Sequence, residues 1–238
     1  MEHAELGKEE SEMISEFFRF PHTSHIDWLS NSGARGDKIM SPHEADLFVS
    51  TKLTVEEKVD GANVGFSIDN DGNLIAQNRG AWIDRDVGGQ FKHLWKWAAP
   101  YENQLKAKLG KELILFGEWC YAKHSIRYER LPNWFIGFDI YERSSGRFFS
   151  VQRRNELLSS IGIPIVRPIA VGHFSISDLK SLLSTPSSYG ANNIEGIYLR
   201  KDEDKWLSKR AKLVRPDFTQ SIEEHWSRKG IKANRIKY

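Results

Sequence analysis

The sequence predicts an α+β fold, and three observations carry that prediction. Residues 64–68 and 74–79 alternate apolar with polar side chains across Asn70-Asp71-Gly72-Asn73, which is the chemistry of a β-hairpin turn. Leu113-Ile114-Leu115-Phe116-Gly117-Glu118-Trp119 and Trp134-Phe135-Ile136-Gly137-Phe138-Asp139-Ile140-Tyr141 are apolar runs too short for typical helices, so both read as buried strands. Residues 91–97, 101–109, 151–161 and 177–183 instead space their apolar side chains as helices do.

Composition narrows the class. Apolar residues make up 39% of the chain and aromatics 12%, enough for a real core and against disorder. A single cysteine, Cys120, rules out an intramolecular disulfide, suits a reducing intracellular compartment and reads as a small buried hydrophobe. No apolar run reaches membrane-spanning length, and Met1-Glu2-His3-Ala4-Glu5 lacks the basic-then-apolar order of a signal peptide. A soluble, unprocessed, cytoplasmic protein is expected. The net charge of +2 is unevenly spread. Residues 1–16 form an acidic lead, whereas Arg228, Lys229, Lys232, Arg235 and Lys237 make residues 219–238 a short basic tail that either contacts phosphates or solubilises the terminus.

Taken in order, the elements place the residues that could do chemistry. Arg19-Phe20-Pro21-His22-Thr23-Ser24-His25-Ile26 reads as a polar loop, since no cysteine or carboxylate nearby completes a metal set with His22 and His25. Residues 33–38, including Arg35, are a glycine-rich loop that either approaches a ligand or connects. The run 52–56 is a strand, and Asp60-Gly61 is a turn signal. Lys58 therefore lies at a strand end beside Glu56 and Glu57, either as a nucleophile or as a solvated lysine next to a hairpin turn. The following hairpin carries Arg79 at its far end. Gly88-Gly89 precedes helix 91–97, whose aromatic stripe reads as core, and Gly110 closes helix 101–109. The strand 113–119 delivers Glu118, and the strand 134–141 holds Asp139 in apolar surroundings; both carboxylates need partners to offset burial. Residues 124–130 are a basic loop. Helix 151–161 is expected to put Arg153 and Arg154 on its wet face, and 184–190 is linker-like. Glu195-Gly196 opens an alternating strand, and the strand 206–214 points Arg210 and Lys212 the same way. There is no internal repeat, no P-loop and no G-x-G-x-x-G, so a nucleotide would bind by another architecture.

The order of these pieces is more specific than any one of them. A Lys-x-Asp-Gly turn, an arginine after the next hairpin, a strand-end Gly-Glu, a Phe-Asp strand, a Glu-Gly strand and a late basic strand resemble the motifs of covalent nucleotidyltransferases, the superfamily of polynucleotide ligases and capping enzymes. The resemblance runs from about residue 19 to residue 218. Phe20-Pro21-His22-Thr23-Ser24-His25-Ile26 and Arg210-Ala211-Lys212-Leu213-Val214-Arg215-Pro216 look most like ATP-dependent RNA ligases. It implies a nucleotidyltransferase (adenylation) domain of ligase type, with mostly antiparallel sheets flanked by helices around an ATP cleft. It also implies a single minimal domain over 1–238, because the residues after Phe218 are too few for an OB-fold.

The same resemblance implies roles. Lys58 would attack the α-phosphate of ATP, with Asp60 and Lys212 completing the catalytic set. Glu57 would seat the adenine, Phe138 would stack on it, and Glu118 would bind the ribose. Asn63 would organise the phosphate side with Asp60, Arg79 would reach the ribose or the incoming strand end, and Arg210 and Lys212 would grip the phosphates. Glu195, together with Glu118, would hold Mg2+ or Mn2+. Arg19, His22, Arg35 and Arg215 would contact RNA. One departure stands out: the family's last motif commonly has two lysines around one residue, and here Arg210, flanked by Lys209, takes the first place. AMP would pass from ATP to Lys58, then to a 5′-phosphate end, and leave when a 3′-hydroxyl attacks. Substrates would be RNA ends in nicked duplex or single strands, or RNA/DNA hybrids, with a strand-binding or end-processing partner protein in attendance. The rival readings are a DNA or mixed nick sealer and a non-catalytic end-binding module. A free lysine has a pKa of about 10.4, so Lys212, Arg210 and a divalent ion are expected to lower that of Lys58.

Overall fold

Two antiparallel sheets meet where the chain passes from Lys58 to Ala62. The computed structural model describes residues 16–30, 38–221 and 231–237. Helix α1 (Pro42–Val49) starts in a capping box, with the Ser41 hydroxyl accepting from the Glu44 amide while the Glu44 carboxylate accepts from the Ser41 amide. Strand β1 (Leu53–Lys58) follows, then β2 (Ala62–Ile68) and β3 (Leu74–Gln77). The β2–β3 turn is the expected hairpin: Asp69 Oδ1 accepts from the Asp71 and Asn73 amides, and Gly72 supplies the positive φ of 83°. Next come a short 3-10 turn (Gly89–Phe91), α2 (Leu94–Ala98) and α3 (Glu102–Leu109), and then β4 (Leu113–Trp119), β5 (Phe135–Glu142) and β6 (Arg147–Phe148). The chain continues through α4 (Val151–Ile161), β7 (Pro168–Gly172), α5 (Ile176–Leu182), β8 (Gly196–Glu203), β9 (Trp206–Val214) and α6 (Pro216–Ser221).

One sheet runs β7-β1-β8-β9 and the other β3-β2-β4-β5-β6. Asp60-Gly61 is therefore not a hairpin turn: β1 and β2 belong to different sheets, and residues 59–61 carry the chain across. The local turn signal is real, but the strands on either side find better partners elsewhere. Lys58 pairs with Gly196 and Asn63 with Glu118, so the crossing sets residues of both sheets face to face. Each sheet has its own core. Phe66, Trp97, Leu105, Trp119, Phe135 and Leu158 pack under α2, α3 and α4, while Phe48, Leu53, Val55, Leu179, Leu199 and Leu213 pack under α1 and α5. Cys120 is buried. No helix among the described residues is long and apolar enough to cross a membrane.

Buried charge ties the sheets together. Arg154 does not lie on the wet face of α4. It is fully buried on the stripe it shares with Leu158 and Ile161, and its guanidinium donates to Glu56 at 2.6 and 3.1 Å and to the Phe138 carbonyl at 2.7 Å. Asp139 is enclosed in the same way. Arg200 reaches it at 2.6 Å and also donates to the carbonyls of Phe138 and Phe149, while Arg210 takes its second oxygen. Each buried ion has thus gained a directed partner, the condition under which burial of charge is tolerated.

Two segments expected to be peripheral are not. Within 184–190, Ser187 and Tyr189 are buried against the end of β1. Residues 231–237 hydrogen-bond along 120–131, from the Lys123 amide to the Lys232 carbonyl at 2.7 Å to the Lys237 amide on the Leu131 carbonyl at 2.9 Å. The acidic lead up to residue 15, the loop 31–37 with Arg35, and residues 222–230 with Arg228 and Lys229 lie outside the described residues.

Candidate active site

A cavity of about 590 Å3 opens between the sheets, within the range of small-molecule sites. Lys58 reaches it from the end of β1, Glu118 from β4, Glu195 from the residue before β8, and Lys212 from β9. Phe138, Asn63, Arg79, Glu57 and Asp60 also line it. Residues widely separated in sequence converge here because they sit on strands of the two sheets or on the segments that leave them.

Lys58 Nζ lies 2.7 and 2.8 Å from the two oxygens of Glu195. Glu118 Oε1 accepts from the Gly61 amide at 3.0 Å, which anchors the crossing to β4. That approach requires glycine, since a Cβ at position 61 would lie 2.6 Å from the Trp119 carbonyl oxygen. Gly196, beside Glu195, is equally constrained: a Cβ there would meet the Leu213 carbonyl oxygen at 2.4 Å. Asp60 faces the loop 124–130, with Oδ2 accepting from the amides of Ser125 at 2.7 Å and Ile126 at 2.8 Å.

Phe138 and Glu57 are both on the cavity wall. The Phe138 ring is edge-on to Phe20 at 5.5 Å, with its backbone carbonyl held by Arg154 and Arg200. Glu57 is buried, accepting from Ser187 Oγ at 2.5 Å and the Ser188 amide at 3.2 Å. Burial raises the Glu57 pKa, opposed by those two hydrogen bonds. Asn63 lines the cavity, and its Oδ1 is buried without a hydrogen-bond partner.

Electrostatics at the centre differ from the expectation. Burial alone would lower the Lys58 pKa, but the carboxylates of Glu195 and Glu118 outweigh it, and the net direction is up. The expected cations do not prevail: Glu195 contacts the amine directly, and Arg210 is engaged with Asp139. Burial pushes Glu118 up to about 8 and Glu195 to about 6, in each case against the pull of Lys58. The Lys58 ammonium is thus paired directly with Glu195, and Glu118 gives up its proton less readily than a solvated glutamate.

The raised Glu118 pKa has a sign for stability. The folded state holds this proton more tightly than the unfolded chain, so the contribution is fully present below about 4.5 and is lost as pH rises through about 8. Melting curves between pH 5 and 8 should show wild type losing stability relative to Glu118→Gln. Parallel profiles would contradict this assignment.

The donor set fits a hard divalent ion. Glu195 and Glu118 offer carboxylate oxygens on the cavity wall, and no group of three or more His, Cys, Asp or Glu among the described residues could hold a metal alone. That pattern of one or two carboxylates, completed by water and substrate phosphates, is how Mg2+ is commonly held.

The other expected residues divide. His22 and Arg79 are on the cavity wall. Arg19 sits outside it, with Nε donating to the Arg79 carbonyl at 3.2 Å. Arg210 is turned away from Lys212 in its contacts, paired with Asp139 and stacked over Phe148 at 4.2 Å and Phe20 at 4.6 Å. Arg215 turns to Asp217, the Ile194 carbonyl and the Phe218 ring. Sequence reading missed Arg200, although alternation along β8 puts it on the face of Tyr198. It also missed Ser187 and Tyr128, for which no local signal exists.

Comparisons with known proteins identify the family and the fold. The family model described as RNA ligase matches residues 51–214. Among solved structures, an RNA ligase from Naegleria gruberi with pyrophosphate is similar at a TM-score of 0.59 and 17% identity, covering 88% of this chain and 64% of that one. A variant of the same ligase with ATP and manganese gives a TM-score of 0.59 at 15% identity, covering 86% and 64%. An archaeal ATP-dependent RNA ligase gives 0.57 at 19% identity, covering 85% and 49%. The chain thus spans between about half and two thirds of the length of these proteins. No curated protein matches significantly. At these identities the structural likeness shows a shared fold.

Proposed function

The chain belongs to the RNA ligase family, and on that premise we propose that it seals RNA ends by carrying AMP from ATP on Lys58. The observation that supports this most is the position of Lys58 Nζ, on the cavity wall and within 2.8 Å of both Glu195 oxygens. An amine needs to shed its proton to act as a nucleophile, and here the paired carboxylate holds that proton in place. Mg2+ or Mn2+ at Glu195 and Glu118 would neutralise those carboxylates, favour neutral Lys58 and offset charge on the phosphates. Lys58 Nζ would then form a P–N bond to the α-phosphorus as the bond to pyrophosphate breaks. Lys212 faces the phosphates, with Asn63 and Asp60 organising that side, Phe138 and Glu57 face the adenine, and Arg79 reaches the ribose or the incoming strand end.

In the second step the 5′-phosphate of an RNA end displaces Lys58 from the AMP phosphorus. In the third, a 3′-hydroxyl attacks that activated phosphate and AMP leaves.

Incubation with ATP labelled in its α-phosphate, plus Mg2+ or Mn2+, is expected to label the protein covalently, and nicked duplexes with an RNA 3′-hydroxyl are expected to be sealed. Absence of label would overturn the enzyme reading. Label with sealing of DNA-only nicks alone would overturn the choice of RNA.

A further inference from the structure

Asp60 belongs to neither sheet, so neither sheet's ladder holds it. Its partners come from the loop after β4: the Ser125 and Ile126 amides on its carboxylate, and the Tyr128 hydroxyl oxygen, which accepts from the Asp60 amide at 2.8 Å. That loop is itself without helix or extended strand between Cys120 and Trp134. It is held by the C-terminal segment 231–237 and, at Glu129 and Arg130, by the Tyr189 carbonyl, which accepts from both amides at 2.9 Å.

One side chain bridges both arms of the loop. Asn234 is buried, its Nδ2 donating to the carbonyls of Cys120 at 2.8 Å and Ala122 at 3.2 Å, and its Oδ1 accepting from the Tyr128 amide at 2.9 Å. The backbone on either side adds to this: the Asn234 amide donates to the Tyr121 carbonyl and the Arg235 amide to the Tyr128 carbonyl, both at 2.9 Å. Tyr128, fully buried, then carries the connection to the crossing.

We propose that Asn234 and Tyr128 are positioning residues for the reaction at Lys58: through the loop 120–131 they fix Asp60-Gly61, and so the angle at which the lysine meets the phosphate. The C-terminal segment is on this account part of the active-site scaffold. The inference rests on the reading that Lys58 accepts AMP. A lysine at the last position of a strand is rigid on one side only, and the other side is residues 59–61. Reactive geometry is steep in position, a displacement of about 1 Å costing up to about 10²-fold in rate. Four hydrogen bonds to a single asparagine side chain and its amide are a strong constraint on a loop with so little structure of its own.

The test is the single-turnover rate of covalent labelling by ATP in wild type, Tyr128→Phe, Asn234→Ala and, as a control on the same segment, Ile231→Ser, whose side chain is exposed. Tyr128→Phe removes one oxygen and leaves the ring packing in place. Both site variants are expected to lower the rate at saturating ATP by about 10- to 100-fold, with the half-saturating ATP concentration changed less than about twofold, at a temperature where melting curves show them folded. Ile231→Ser should match wild type. Should Asn234→Ala fail to fold, Tyr128→Phe decides. Wild-type maximal rates in the folded variants, or an effect confined to melting temperature or to ATP affinity, would overturn the inference. If wild type takes no label, it is the reading of Lys58 that falls.

Discussion

Lys58→Arg is expected to reduce covalent AMP transfer to background while leaving the protein folded. The guanidinium keeps a positive charge for Glu195 and Glu118, so neither carboxylate is stranded in the cavity. It remains protonated at any working pH, however, and offers no nucleophilic lone pair. Lys58→Ala should also fail to label, but it removes the charge that opposes the burial of both carboxylates. The two variants therefore separate roles: if both lack label and only alanine alters the pH dependence of stability, the amine is the reacting group and its charge is a structural partner. Residual labelling of Lys58→Arg at a wild-type rate would remove the lysine from the chemistry altogether.

The second large effect is on stability. Arg154→Met is expected to destabilise the fold by about 3–5 kcal/mol, because it leaves the Glu56 carboxylate buried without its bidentate partner. For a chain of this size that corresponds to a fall in melting temperature of about 6–20 °C. The loss should be partly recovered in Arg154→Met/Glu56→Gln, where the stranded charge is gone. Since Arg154 also holds the Phe138 carbonyl, the single variant should weaken ATP binding as well. A thermal shift below about 2 °C would show that the pair is not enclosed as described.

The sequence made the elements legible where local chemistry and tertiary environment agree. The hairpin turn after β2, the buried strands β4 and β5 and the glycine stop after α3 are set by nearby residues, and they fold as read. Lys58 at a strand end, Glu118 on β4 and Glu195 before β8 were legible for the same reason, and their order gave the family. What failed was set by distant partners. Asp60-Gly61 is good turn chemistry, yet β1 pairs with β7 and β8, so the turn became a crossing. Arg154 occupies an inward helical position four before Leu158, and only Glu56, on another element, makes that burial tolerable. The proton on Lys58 depends on carboxylates brought in by two other strands, and Asn234 acts through a loop more than a hundred residues away in sequence.

That difference explains why Arg210 departs from its expected place. Alternation aligns it with Lys212, but a buried aspartate on β5 and two aromatic rings hold it away from the cavity wall.

The central claim is that the Lys58 amine carries AMP. It is tested most directly by tandem mass spectrometry of peptides from the wild-type protein after incubation with ATP and Mn2+, under conditions that preserve a phosphoramidate. The account predicts one AMP adduct per chain, on Lys58. Its absence, or its appearance on Lys212 or any other residue, would contradict it.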